Sequence, residues 1–125
     1  MKVIIDTNGL MIPVQFNVDI FDELRRLGYN RFIVPLSVIR ELESLQKGLR
    51  GKDKTAAKVA YSLARRCEVV ETSGHADDVI VDLAGNCDAA VLTNDIGLKK
   101  RLEDKNIPII CLRQKNRLER ITDEV

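Results

Sequence analysis

Two short polar segments of the chain each place an acid beside a threonine and an asparagine. These segments are Asp6-Thr7-Asn8 and Thr93-Asn94-Asp95, and each directly follows a short apolar run. In open parallel sheets, sites form at the carboxyl ends of the strands, so both acids would lie at that edge if the apolar runs are strands. Asp95 also stands where it could cap the following helix, which is a structural alternative for this residue.

Helical periodicity selects two further acids. In a helix over residues 36–48, Glu41 lies at the edge of the apolar stripe. In a helix over residues 77–87, Asp77 flanks the stripe, whereas Asp78 points nearly opposite. A carboxylate at the edge of a buried face is costly unless something compensates its charge. Glu41 and Asp77 are therefore the helical candidates for a functional site.

Four carboxylates that converge on one cleft require a cation or bound protons. Two carboxylates ~4 Å apart repel each other by roughly 4 kcal/mol at an effective dielectric constant near 20. A bound cation is the simpler way to relieve this repulsion. A site with oxygen ligands alone favours a hard cation, so the sequence predicts Mg²⁺ or Mn²⁺. Protein-bound Mg²⁺ commonly completes its shell with water and phosphate oxygens, which indicates phosphoryl chemistry.

The elements that must position these acids follow from the apolar pattern. Near-continuous apolar runs predict five strands, at residues 2–5, 32–34, 68–70, 89–92 and 107–112. Helical periods predict helices near residues 18–27, 36–48, 53–66, 77–87 and 96–104. This alternation predicts an α/β fold, a three-layer sandwich with right-handed crossovers. We interpret residues 9–17 as a long linker and residues 113–125 as a flexible or partner-binding tail.

Composition bounds the class of protein. A chain of 125 residues suits a single domain, here residues 1–125. Hydrophobic residues make up 45% and charged residues 31%, which is ordinary for a globular fold and argues against disorder. No apolar run approaches the ~18 residues of a membrane span, and no signal peptide is recognised, so we expect a cytoplasmic protein. The spacing of the three cysteines supports neither disulfides nor a zinc site.

The net charge of +1 gives no sign of a nucleic-acid binder by itself. The neutral sum, however, hides the four candidate acids and a separate basic run. This run contains Lys47, Arg50, Lys52 and Lys54. One interpretation of these basic residues is a solvated helix surface, and the other is contact with an RNA backbone. We interpret His75, the single histidine, as a loop residue and not as a general base.

Taken in order, these acids make the sequence resemble a PIN-domain nuclease. The resemblance covers essentially the whole chain, and Asp95 follows Asp77 by eighteen residues. It implies a five-stranded parallel sheet in the order 3-2-1-4-5. It also implies an acidic quartet of Asp6, Glu41, Asp77 and Asp95, with neighbours that orient the carboxylates or contact phosphate, namely Thr7, Asn8, Thr93 and Asn94. Whether Asp77 or the adjacent Asp78 is the third acid stays open, although the helical wheel favours Asp77.

The resemblance further implies an activity. PIN-domain nucleases cleave single-stranded RNA with an activated water, leaving a 5′-phosphate and a 3′-hydroxyl. One or two Mg²⁺ or Mn²⁺ ions would bind, with Asp6 and Asp95 as direct ligands and the other two acids as ligands or through water. A VapC-like toxin silenced by an antitoxin is the favoured role, and an RNA-processing nuclease of the ribosome-biogenesis branch is the alternative. PIN domains commonly dimerise, so we expect a homodimer.

Two other classes of function compete with this hypothesis. The first is a non-catalytic RNA-binding module that keeps the fold, and the intact acidic quartet argues against it. The second is a receiver-like phosphoacceptor domain, which also gathers acids at strand ends. Such a domain would need a lysine after the last strand, for which Arg113 and Lys115 are only a loose match.

Overall fold

Strands and helices alternate along most of the chain in the computed structural model, which describes residues 1–114 and 116–121. The elements are β1 (Lys2–Ile5), α1 (Thr7–Phe16), α2 (Ile20–Arg26), β2 (Arg31–Pro35), α3 (Leu36–Gly48), α4 (Gly51–Ala64), β3 (Glu68–Val70), α5 (Ala76–Cys87), β4 (Ala90–Leu92), α6 (Ile96–Asp104), β5 (Ile109–Arg113) and β6 (Arg117–Ile121). None of the described helices is both long and apolar enough to cross a bilayer.

The strands form one sheet in the order β3-β2-β1-β4-β5-β6. The first five strands of this order are parallel to their neighbours, and β6 pairs antiparallel with β5. The predicted α/β class and the order 3-2-1-4-5 are therefore confirmed. Between β1 and β4 the strand order reverses direction, which is where ligands bind in open α/β sheets. Asp6 directly follows β1, and Thr93 directly follows β4.

Strand β6 is an addition to the predicted five-stranded sheet, and it lies in the segment that we interpreted as a tail. Leu118 of β6 is fully buried. Its N–H donates to Oε1 of Glu23 at 3.0 Å, and its carbonyl accepts from Nη2 of Arg26 at 2.7 Å. These contacts fix β6 against α2. The polar sequence of residues 113–125 does not indicate them. Lys115 and residues 122–125 of the interpreted tail lie outside the described residues.

The linker predicted over residues 9–17 is wrong, because most of it forms helix α1. Gly9 and Pro13 are helix-disfavouring residues, and they made this segment look irregular. The helix forms because Asp6 caps it and because Leu10 and Ile12 are buried in the core. A Cβ atom at Gly9 would lie 2.8 Å from the carbonyl oxygen of Leu92. Gly9 therefore allows the first turn of α1 to lie directly against β4.

A longer crossover of two helices connects β2 to β3. Helix α3 buries Val38, Ile39 and Leu42, and α4 packs on α1 and α3. The buried face of α4 consists of Ala56, Ala57, Ala60 and Ala64. These small side chains let α4 approach its neighbours closely. Glu41 is thereby held on a helix that begins at the carboxyl edge of the sheet.

We predict that Gly9→Ala destabilises the fold, whereas Gly85→Ala does not. The Gly9 Cβ must displace backbone of β4, and such overpacking typically costs about 1–3 kcal/mol. Gly85 is an exposed residue inside α5 with no atom within 4 Å of an added Cβ, so alanine should stabilise the helix by up to ~1 kcal/mol. Urea denaturation of both variants measures these effects. Equal effects of the two substitutions would contradict the packing argument.

Candidate active site

The Asp6 carboxylate is held between the start of α1 and the end of β4. Only 6% of this residue is exposed. Its Oδ1 accepts a hydrogen bond from the N–H of Gly9 at 2.6 Å. Its Oδ2 accepts from the hydroxyl of Thr93 at 2.5 Å. Both oxygens are therefore fixed in orientation at the point where the strand order reverses.

Burial raises the pKa of Asp6 from its ordinary value of 3.8 to about 7. The hydrogen bonds from Thr93 and Gly9 act in the opposite direction, because they stabilise the charged form. The negative charges of Asp95 and Asp77 raise the pKa further. A cation bound beside Asp6 would favour its ionised form and remove this penalty.

Thr93 connects Asp6 to Asp95. Its side chain is fully buried, and its hydroxyl donates to Asp6 while accepting from the backbone N–H of Asp95 at 3.0 Å. Asp95 caps α6, since its Oδ1 accepts from the N–H of Leu98 at 2.9 Å. Asp95 therefore does cap the helix, as the structural alternative predicted. This bond occupies only one of its two carboxylate oxygens. The charge of Asp95 still acts on Asp6.

Asn8 and Asn94 form hydrogen bonds that connect neighbouring strand ends. The N–H of Asn94 donates to Oδ1 of Asn8 at 3.3 Å, which joins the turns after β4 and β1. The N–H of Leu112 in β5 donates to Oδ1 of Asn94 at 2.9 Å. These bonds tie three neighbouring strand ends to one another. The asparagines thus support the acids through the backbone in this structure.

Glu41 and Asp77 reach the same edge of the sheet from two helices. The hydroxyl of Thr7, next to Asp6 in the chain, donates to Oε1 of Glu41. Asp77 lies exposed in the first turn of α5, close enough for its charge to raise the pKa of Asp6. Asp78 points elsewhere and forms an ion pair with Arg101 of α6 at 2.7 Å. The geometry favours Asp77 over Asp78 as the third acid.

The donor set suits a hard cation that keeps part of its water shell. Within residues 1–114 and 116–121, no group of three His, Cys, Asp or Glu side chains is arranged to hold one ion directly. The acids around Asp6 nevertheless present oxygen donors only, and they come from β1, α3, α5 and the β4–α6 turn. Mg²⁺ usually retains several waters and binds only one or two carboxylates directly. These residues therefore fit Mg²⁺ or Mn²⁺ that keeps bound water better than an ion bound by protein ligands alone.

The basic run lies around the junction of α3 and α4. Its side chains are exposed at the end of α3 and the start of α4, namely Lys47, Arg50, Lys52 and Lys54. In the part of the chain that the structure describes, none of them forms an ion pair with an acid of the site.

Sequence reasoning missed Gly9 and Arg40. Gly9 donates to Asp6 from the third position after it, a spacing typical of a capped helix start. Arg40 precedes Glu41 and lines a cavity of about 290 Å³ with Glu41 and His75. Nothing in the sequence pattern indicates this cavity, because it forms between α3 and the loop that follows β3.

Comparison with known proteins identifies the family. Residues 3–115 match the PIN-like domain family. The chain belongs to this family. The PIN-like domain is 37% identical over 115 residues to ribonuclease VapC9 of Archaeoglobus fulgidus, covering 92% of this chain and 85% of the relative. It is 36% identical over 124 residues to ribonuclease VapC4 of Methanocaldococcus jannaschii, covering 94% and 95% of the two chains.

Solved structures give the same assignment. The PIN domain endonuclease Utp24 superposes with a TM-score of 0.78 at 30% identity, covering 99% of this chain and 95% of that one. A domain of a functionally unknown protein from Methanocaldococcus jannaschii superposes with a TM-score of 0.65 at 17% identity and equal coverage, which shows the fold alone. The predicted membership of the PIN-domain class is confirmed.

The pKa of Asp6 predicts how the stability of the metal-free protein depends on pH. Because the folded-state pKa is raised, the folded protein binds the proton more tightly than the unfolded chain does. The resulting stabilisation is fully present below about pH 4 and is lost as the pH rises through about 7. The loss should be on the order of 4 kcal/mol. In Asp6→Asn the change between pH 4 and 8 should be smaller by that amount.

Urea denaturation in the presence of a chelator checks this prediction. The difference between wild type and Asp6→Asn isolates Asp6 from the other titrating groups. Parallel stability curves for the two proteins across this pH range would show that Asp6 is not the buried group that binds the proton.

Proposed function

We propose that this PIN-like domain is a divalent-metal-dependent endoribonuclease that cleaves single-stranded RNA. The observation that carries the proposal is the Asp6 carboxylate, which two hydrogen bonds fix at the reversal of strand order and whose pKa is raised mainly by burial. Two relatives named as ribonucleases support RNA as the substrate, and the endonuclease Utp24 supports internal cleavage.

The proposed roles follow from the contacts. Asp6 and Asp95 would hold one or two Mg²⁺ or Mn²⁺ ions directly, and Glu41 and Asp77 would act as further ligands or through water. When bound, such ions lower the pKa of the attacking water and stabilise the leaving 3′ oxygen. Thr93 fixes the orientation of Asp6, and Thr7 holds Glu41 toward the site. The exposed side of Asp95 leaves room for the RNA phosphate to approach.

A VapC-like toxin is the role that we propose first, since both ribonuclease relatives carry the VapC name. This role includes a protein antitoxin as partner, a homodimeric state and a cytoplasmic location. RNA processing is the second candidate role, and the similarity to Utp24 favours it. A small antitoxin gene beside the gene for this chain would support the toxin role, and its absence would favour processing.

We predict that Asp6→Asn and Asp95→Asn each abolish metal-dependent cleavage of a fluorogenic single-stranded RNA. The loss should exceed the roughly 10- to 100-fold that removal of a residue around a metal ligand typically costs. Chelation of the metal should abolish cleavage by the wild type as well. Asp104→Asn, at the exposed far end of α6, is the matched control and should keep full activity.

Two results would contradict the proposal. Full activity in both site variants would overturn the assignment of the acids. A wild type without metal-dependent activity on any RNA would favour the non-catalytic RNA-binding module.

We predict that the adjacent aspartates differ in function. Asp77→Asn should lower the cleavage rate by at least about tenfold, because it removes a carboxylate beside Asp6. Asp78→Asn should leave the rate unchanged and cost at most about 1 kcal/mol of stability, because it removes a surface ion pair with Arg101. Cleavage rates and urea denaturation of both variants measure this difference. The reverse pattern would assign the third acid to Asp78.

A further inference from the structure

A cavity of about 290 Å³ adjoins the acids on the β2–β3 side of the sheet. One wall is a face of α3, where Ser37, Arg40 and Ser44 recur at helical spacing. The other wall is the segment between β3 and α5, with Thr72 and the start of α5. Glu41 lines the cavity too, so the cavity borders one of the four acids of the proposed active site.

Two hydroxyl groups in the cavity walls have no hydrogen-bond partner. Oγ of Ser37 and Oγ1 of Thr72 are both buried, and neither forms a hydrogen bond within the described residues. Buried polar groups in folded proteins almost always have a partner. A hydroxyl can both donate and accept, so a ligand with several oxygen atoms could satisfy both groups.

The other polar groups around the cavity favour an anion. Arg40 lines it and forms no ion pair with any residue in the described ranges. His75 is the N-cap residue of α5, and its side chain accepts no hydrogen bond from the first-turn N–H groups of that helix. The N-terminus of a helix attracts anions, and a guanidinium binds phosphate through paired hydrogen bonds.

We propose that this cavity binds the RNA backbone phosphate next to the one that is cleaved. The inference rests on the proposed function, and it adds Arg40, Ser37 and Thr72 as substrate-binding residues. Arg40 and Glu41 are neighbours in the chain, so α3 presents a cation to one phosphate and a carboxylate to the metal site. The carboxylate of Glu41 accepts from Thr7, which turns its charge toward the acids.

Neutral phosphate analogues test this site in the full-length protein. RNA oligonucleotides carry a single methylphosphonate at one of the two linkages that flank the cleaved bond. In the wild type, one flanking position should raise KM about tenfold or more, the size expected for one charge-assisted hydrogen bond. In Arg40→Gln the same replacement should have little further effect. Arg65→Gln is the matched control, because Arg65 ends α4 just before β3, at the opposite edge of the sheet.

A second variant separates a binding role from a structural one. Thr72→Val keeps the shape of the side chain and removes an unpartnered buried hydroxyl. We expect its melting temperature to rise by a few degrees while KM for RNA also rises. A merely structural hydroxyl would not weaken RNA binding while stabilising the fold. A higher melting temperature with unchanged KM would overturn the role of Thr72 in binding.

Binding measurements keep this inference separate from the catalytic proposal. Fluorescence anisotropy with the same oligonucleotides reports binding without cleavage. RNA that is bound with the Arg40-dependent preference but never cut would support the phosphate site and overturn the nuclease proposal. If the neutral linkage has the same effect in wild type and Arg40→Gln at both positions, or if no RNA binds, the phosphate site is overturned.

Discussion

The buried carboxylate of Asp6 is the constraint on which the rest of the site depends. A charge at this depth is unfavourable, as its raised pKa shows, and two hydrogen bonds oppose the penalty. One donor comes from the first turn of α1 and the other from the end of β4. The Asp6 carboxylate thereby joins the first turn of α1 to the end of β4. The close approach of Gly9 to Leu92 follows from the same arrangement.

Structural and functional explanations of the acids do not exclude each other here. Asp6 and Asp95 are both N-caps of helices, and each uses one carboxylate oxygen for the cap. A cap orients the carboxylate, and the remaining oxygen is then directed from a rigid helix start. In a fold that places helix N-termini at the carboxyl edge of a parallel sheet, capping aspartates are thereby gathered at that edge.

The sequence pattern predicted the features of the fold that depend on neighbouring residues, and it missed those that depend on tertiary contacts. The alternation of apolar runs and helical periods gave the α/β class, and the spacing of the acids led to the PIN-domain resemblance. Helix α1 was missed because Gly9 and Pro13 disfavour a helix locally, whereas the burial of Leu10 and Ile12 in the core stabilises it. Strand β6 was missed because Leu118 is its main buried residue and its partners lie on α2. The helical wheel already distinguished Asp77 from Asp78, but the partner of Asp78, Arg101 of α6, is identified only by the structure.

The direction of the helices affects the charge at the carboxyl edge of the sheet, which the near-neutral net charge of the chain does not show. Helices α1, α3, α5 and α6 each begin soon after a strand, so their N-termini lie at the carboxyl edge of the sheet. Their partial positive charges stabilise the carboxylates that gather there, although they do not cancel the repulsion among them. A bound divalent cation would add positive charge at the same edge, where an RNA phosphate must approach. A neutral net charge is therefore compatible with an RNA substrate, because a bound cation would supply positive charge at the edge where the phosphate approaches.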